Sequence, residues 1–337
     1  MITIPHAALA EVTRGGQLES IHYGSVAVVD ARGKLLYAAG DPDFMTFTRS
    51  SIKPFQALPF LLDGGPAQFG FGPREIALQC ASHSGEDMHV QVVEGMLKKA
   101  GCDEHHLQCG CHLPMRYAQG EAPPAGMKFN QLHNNCSGKH AGFLAWCVQH
   151  HEALDTYLDP AHPLQQAIRT ALARVAGVMP GELVAGTDGC SAPNYALPLS
   201  RLAYTYARLA QGREDAEFGP EMGTLFDAMT THPELVSGTG RSDQAFMRTA
   251  PGDWVAKVGA EAVQVIGIRS AGIGLAVKIA DGNNRALYPA VIAALQQLGL
   301  LSHLEDTPLA AFARPPIRNA RGLDVGEIRP LLELNRI

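Results

Sequence analysis

Runs that read as β-strands lie near both ends of this 337-residue chain, with a long helical stretch between them. Between residues 8 and 38, the runs SVAVVD and KLLYAAG are joined by ARG, the pattern of two strands and a tight turn. From Ser50 to about Arg213, apolar residues recur at helical spacing in IKPFQALPFLL, PREIALQCA, DMHVQVVEGMLKKAG, KHAGFLAWCVQHH, HPLQQAIRTALARVAG and SRLAYTYARLAQG. After SGTGRSD near residue 240, the runs WVAKVG, AVQVIGIR and IGLAVKIAD read as strands, followed by a last helix around ALYPAVIAALQQLG. The most economical solution is one sheet built from both ends of the chain, packed by the first and last helices and carrying a helical lobe. The expected division is an α/β lobe at 1–64 and 245–337 and a helical lobe at 65–244, with the cleft between lobes as the natural place for a pocket.

Composition narrows the function. Apolar residues make up 46% of the chain, enough for a substantial core, and a net charge of -6 with 8 Lys against 19 Arg argues against a nucleic-acid footprint. No apolar run approaches a membrane span, and MITIPHAALAEVTR has neither a charged n-region nor a long apolar h-region, so a cytoplasmic location is expected. Seven cysteines, an odd number in a chain too large to need disulfide staples, read as reduced thiols. The stretch from Cys102 to Asn135, which includes GEAPPAG, reads as a loop packed on the helical lobe.

Only one serine has a lysine three positions after it: Ser50, with Lys53, in TRSSIKPFQALP. On a helix the two share a face, and a desolvated lysine can take a serine proton. Chance alone would supply roughly 0.3 such pairs in a chain of this composition, so the pair needs company. Lys257, in WVAKVGAE, sits in an alternating apolar run two positions before Gly259, where a strand can approach a ligand closely. Lysine, any residue, glycine on a strand is similar to the KTG element that accompanies SxxK in penicillin-interacting serine hydrolases. In CASHSGED, Ser84 reads as a helix cap, while Ser82 reads equally as a proton relay or as a structural hydroxyl.

Cys136 in NNCSGKHAG and Cys190 in GTDGCSAP share a setting, a small polar turn running toward a helix, which suits a nucleophile or a metal ligand. Spacing alone does not make this a metal site, since a lysine ligand such as Lys139 must first lose its proton. The competing cluster Cys102, His105, His106, Cys109, Cys111 and His112 has the composition of a zinc site but no standard finger spacing, and reads as a loop with incidental ligands.

Taken in order, RSSIKPFQ, CASHSGE, CGCHLP, NNCSGKHAGFL, GTDGCSAP, KVGAEAV and GIGLAVKIADG resemble the asparaginase II family, the class 3 or rhizobial-type L-asparaginases, from about residue 8 to about residue 300. The resemblance implies an α/β sandwich similar to the serine β-lactamase and glutaminase fold, a homodimer, and hydrolysis of L-asparagine to L-aspartate and ammonia. It places one Ser-Lys tandem on Ser50 and Lys53 and the second on Ser82 and Lys257. It implies one zinc ion per subunit on Cys136, Lys139 and Cys190, and substrate contacts from Arg49 and Asp188. Related amidohydrolases on the same scaffold, a glutaminase or a β-lactam hydrolase, are the nearest alternatives, and a catalytically silent zinc- or ligand-binding protein is the alternative from another class. One departure stands out: the family pattern KxGAEGV has Ala262 here in place of glycine, a methyl that would be strained at positive φ.

Overall fold

The computed structural model describes residues 5–117 and 122–337, so within the expected 102–135 loop Ala118–Glu121 lie outside the described residues. In chain order the elements begin with strands β1 (Ala7–Arg14), β2 (Gln17–Asp30), β3 (Leu35–Ala39) and β4 (Met45–Phe47). Helices α1 (Lys53–Leu62), α2 (Gly65–Phe69), α3 (Pro73–Gln79), α4 (Asp87–Lys99), α5 (Ser137–His150) and α6 (Pro163–Ala176) follow. Next come β5 (Val184–Thr187), β6 (Pro193–Pro198), α7 (Leu199–Gln211), α8 (Gly219–Thr231), α9 (Pro233–Val236) and α10 (Ser242–Thr249). The chain finishes with β7 (Trp254–Gly259), β8 (Val263–Ile268), β9 (Ile273–Ile279), α11 (Asn284–Gln297), α12 (Ala310–Ala313), β10 (Pro316–Arg318), β11 (Asp324–Pro330) and β12 (Asn335–Arg336). This is a mixed α/β fold, as the strand and helix patterns predict, and no described helix is long and apolar enough to cross a membrane.

The chain divides into two compact units, the first holding residues 1–51, 197–210 and 245–337. In it, strands from both ends of the chain form one antiparallel sheet in the order β10-β11-β1-β2-β9-β8-β7, with β3 also on β2 and β12 on β3. The join is β2 with β9, in register from Gly24 opposite Ile279 to Asp30 opposite Ile273. Val26, Ala27, Val28 and Val29 at this join are buried, the mark of a central strand covered on both faces. Helix α11 packs along β1, β8, β9 and β11. Helix α7 comes closer still: a Cβ on Gly274 or Gly267 would lie 1.9 Å from the Ala203 carbonyl oxygen or 2.3 Å from that of Tyr206. These two glycines face each other across β8 and β9, so their missing side chains are what let the helix backbone sit on the strands.

The second unit holds residues 52–196 and 211–244. Helix α1 packs against α5 and α6, and α3 against α5 and α8. Gly138 and Gly142 of α5 admit the Leu78 carbonyl and the Gln79 side chain, closing α5 onto α3. The β5–β6 hairpin carries the five-residue loop Asp188–Ala192, closed by hydrogen bonds from Asp188 N to Ala192 O and from Ser191 N to Asp188 O. Local pattern missed this hairpin because its two strands are short, of four and six residues.

Candidate active site

In the second unit, Lys53 is the first residue of α1, with Pro54 behind it in a position that needs no amide donor. Its side chain is fully buried, and its Nζ donates to the carbonyls of Ala81 and, at 3.4 Å, Asn135, while lying 2.9 Å from Ser82 Oγ. Carbonyls only accept, so two amine hydrogens are fixed on them. The remaining tetrahedral position faces Ser82 Oγ: an ammonium donates there, and a free amine presents its lone pair. The Ser82 turn is itself pinned, with Ser82 N bonded to Val236 O and His83 N to Asn135 O.

His83 and His89, stacked with ring centroids 4.9 Å apart, brace that turn. His83 Nδ1 accepts from Gly85 N, so its Nε2 carries the proton and donates to Ser137 Oγ. His89 does the same between Glu86 N and the Glu234 carbonyl. Both rings are thereby committed as neutral, and burial drives their pKa below the ordinary histidine range, that of His83 well below. Ser84 does not cap α4, whose N-cap is Glu86; its Oγ bonds the Ser237 carbonyl instead.

Cys136 caps α5 and Lys139 lies in its first turn, with Lys139 Nζ 3.0 Å from Cys190 Sγ in the β5–β6 loop. The Cys136 thiol bonds Cys190, and with Lys139 and His140 it holds Cys190 far below the usual thiol range. The same bond, together with burial, pushes Cys136 far above it. Burial works against the Lys139 ammonium, but Cys190, Cys136 and Asp188 outweigh it and raise the amine above the ordinary lysine range. His140 bonds the Tyr157 hydroxyl through Nδ1, and its ring also acts on Cys190, the buried Nε2 making no hydrogen bond of good geometry. Two sulfurs and an amine in one buried neighbourhood, with the His140 ring beside them, are a donor set that fits zinc, with the metal displacing their protons.

The rival cluster does not gather. Among the described residues, three His, Cys, Asp or Glu ligand atoms come together only at exposed His303, Glu305 and Asp306. Instead, His106 bonds Asp103, the Cys109 thiol bonds the Gln131 carbonyl, and His112 Nε2 accepts from Asn135 N. Burial pushes Cys109 up to about 12, which makes it an inert thiol.

In the first unit, Ser50 lies in the 3-10 turn Arg49–Ile52 that runs directly into α1. Arg49 has φ 51, a left-handed conformation uncommon for a residue with a side chain. The turn is held by Ser51 Oγ on the Thr48 carbonyl, 2.6 Å, and by Tyr206 Oη on the Ser51 carbonyl, 2.6 Å. A Cβ on Gly259 would lie 2.7 Å from the Thr48 carbonyl oxygen, so this glycine lets β7 run against the segment that carries Ser50. Lys257, two residues earlier on β7, is fully buried and donates to the Val258 carbonyl at 2.8 Å. The Arg49 guanidinium lies 3.9 Å from the Glu261 carboxylate. Ala262 has φ 54 and is buried, so the strain expected of a methyl at this position is present.

Of the residues singled out from sequence, the second unit gathers Lys53 with Ser82, and Cys136 with Lys139, Cys190 and Asp188; Arg49, Ser50 and Lys257 lie in the first. Sequence reasoning missed His83, His140 and Arg241. The first two sit beside residues already singled out, and Arg241 closes the glycine-flanked SGTGR run, the only available signal for it.

The family model described as L-asparaginase II matches residues 10–330. No curated protein matches the chain in sequence. Among solved structures, the chain is similar to Mglu in its native form, at 15% identity and TM-score 0.39, over 83% of this chain and 62% of that one. It is also similar to a β-lactamase from Mycobacterium bovis, at 14% identity and TM-score 0.34, over 82% of this chain and 95% of that one. The chain thus spans about three fifths of the length of Mglu.

Proposed function

Because the chain belongs to the L-asparaginase II family, we propose that this amidohydrolase converts L-asparagine to L-aspartate and ammonia. The observation that carries the reading is the buried Lys53 amine, oriented by the Ala81 and Asn135 carbonyls and 2.9 Å from Ser82 Oγ. In its free-amine form Lys53 takes the proton of Ser50 by way of Ser82, the hydroxyl that its lone pair faces, and Ser50 Oγ attacks the side-chain amide carbon. Lys53 passes the proton to Ser82, whose hydroxyl delivers it to the departing nitrogen; ammonia leaves and an acyl ester on Ser50 remains. The Ser82–Lys53 pair then deprotonates a water that attacks the ester, Ser50 takes back a proton, and aspartate is released. The strained Arg49 supports Ser50 in this role, since unfavourable backbone geometry persists where surrounding contacts impose it, often beside reacting groups.

Cys136, Lys139 and Cys190 would hold one zinc ion per subunit, with His140 beside them. When bound, zinc supplies a positive charge that orients the substrate, the serines already providing the nucleophile. Asp188 answers the substrate's α-ammonium, and Arg49, next to Ser50 in the chain, contributes a substrate contact as the family resemblance implies. The family resemblance adds a homodimer to this reading. The test is ammonia release from L-asparagine and L-glutamine side by side. Asparagine is expected to be the better substrate and Ser50→Ala to abolish its turnover; wild-type rates in Ser50→Ala would remove Ser50 as nucleophile.

A further inference from the structure

Arg241 ends the loop between α9 and α10, and among the described residues its partners are acceptors without a counter-ion. Its Nη1 donates to the carbonyls of Ser82 and, at 3.1 Å, Ser237, and lies 3.6 Å from Met115 Sδ. Nε and Nη2 have no hydrogen-bond partner among the described residues, and no carboxylate there pairs with the guanidinium. The nearby acid is committed elsewhere: the Glu86 carboxylate holds Thr239 N and Thr239 Oγ1, both at 2.9 Å. The loop is rigidly placed, with Gly240 N on Gln244 Oε1, Gln244 N on Ser237 Oγ, and Gly238 at φ 123 so close to Ser84 that a Cβ would lie 2.0 Å from its Oγ. Arg49, by contrast, already has a carboxylate 3.9 Å away.

A half-buried cation, fixed on the carbonyl of Ser82, with one edge of its planar fork unused, is prepared for a planar anion. We propose that Arg241 is the specificity-determining residue for the α-carboxylate of the substrate, receiving its two oxygens on Nε and Nη2. This rests on the reading of the protein as an asparaginase. The site would thereby select free amino acids carrying a side-chain amide over amides without a neighbouring carboxylate. Its hold on Ser82 also ties carboxylate recognition to the residue that hands the proton to the leaving nitrogen.

The probe pair is L-asparagine and 3-aminopropanamide, which is asparagine without its α-carboxylate. Arg241→Gln should lower kcat/KM for L-asparagine about 10²-fold more than it lowers kcat/KM for 3-aminopropanamide, with the excess loss chiefly in KM. Arg241→Lys, a point charge in place of the fork, should fall between. Equal losses on both amides would overturn the proposal, because a displaced Ser82 turn or a misfolded variant affects both, and so would no loss on either. Calorimetric binding of L-aspartate and β-alanine separates this from the functional reading. If the wild type releases no ammonia from asparagine yet binds L-aspartate about 10²-fold more weakly as Arg241→Gln, with β-alanine unaffected, the asparaginase reading falls and the carboxylate site stands. Aspartate binding that is undetectable in the wild type, or indifferent to Arg241, overturns the carboxylate site.

Discussion

Lys53 and Lys139 are both buried lysines in the second unit, each with its Nζ near 3 Å from a nucleophilic atom, and yet they meet different chemistry. Lys53 faces two carbonyls and a serine hydroxyl, none of which carries a charge. Lys139 faces a thiol that gives up its proton far more readily than a hydroxyl, so Cys190 is drawn toward the thiolate and Lys139 toward the ammonium. The first arrangement suits a base, and the second stores charge that a metal ion can replace. The difference lies in the partner atom, oxygen against sulfur, and in the few carbonyls that orient the amine.

That contrast can be broken experimentally, and the largest effect should come from the base. Lys53→Met is expected to cut kcat for ammonia release by about 10⁴, with bound zinc unchanged by metal analysis. Lys139→Met should do the reverse in kind, losing zinc, as should the Cys136→Ser, Cys190→Ser double variant. Full metal retention in the double variant would remove the sulfur–lysine site from the reading. Ser82→Ala should cost about 10² in kcat, less than Lys53→Met, because water can stand in for a relay hydroxyl more easily than for the base.

Smaller effects sharpen the surroundings of the pair. His83 and His89 have folded pKa values below those of the unfolded chain, so below about pH 6.5 the unfolded state binds more protons and stability falls as pH falls. Denaturant melts between pH 7 and 5 should show this loss, on the order of 1 kcal/mol per pH unit, and His89→Gln should flatten the slope. The smallest expected change is a gain: Ala262→Gly relieves a left-handed alanine and should raise stability by about 0.5–1 kcal/mol, read as a shift in denaturation midpoint.

How far the molecule is legible from its sequence depends on the range of each interaction. The strands at both ends and their union in one sheet follow from local alternation, since exposed edges demand partners and few other strands were available. The placement of α7 on β8 and β9 does not, because it depends on Gly267 and Gly274, which read locally only as weak strand residues. Within the candidate site, Ser50 and Lys53 announce themselves by spacing. The contact of Lys53 with Ser82 spans 29 residues and leaves no periodic trace. Arg241 is invisible for a related reason: what singles it out is that no carboxylate among the described residues pairs with it, and no stretch of sequence records which groups stay unpaired in space.

The join between β2 and β9 has a consequence for the order in which the chain is made. When β2 leaves the ribosome, β1 and β3 can pair along one of its edges at once, but the partner for Gly24–Asp30 on the other edge is Ile273–Ile279. Throughout the synthesis of the whole helical unit, Val26–Val29 wait beside an open strand edge. Such an edge is a template for another nascent chain, and pairing so distant in sequence is slow to form. Crowded translation therefore exposes this protein to its greatest aggregation hazard before β9 emerges, and slower expression or a holding chaperone should raise soluble yield more than stabilising the finished fold.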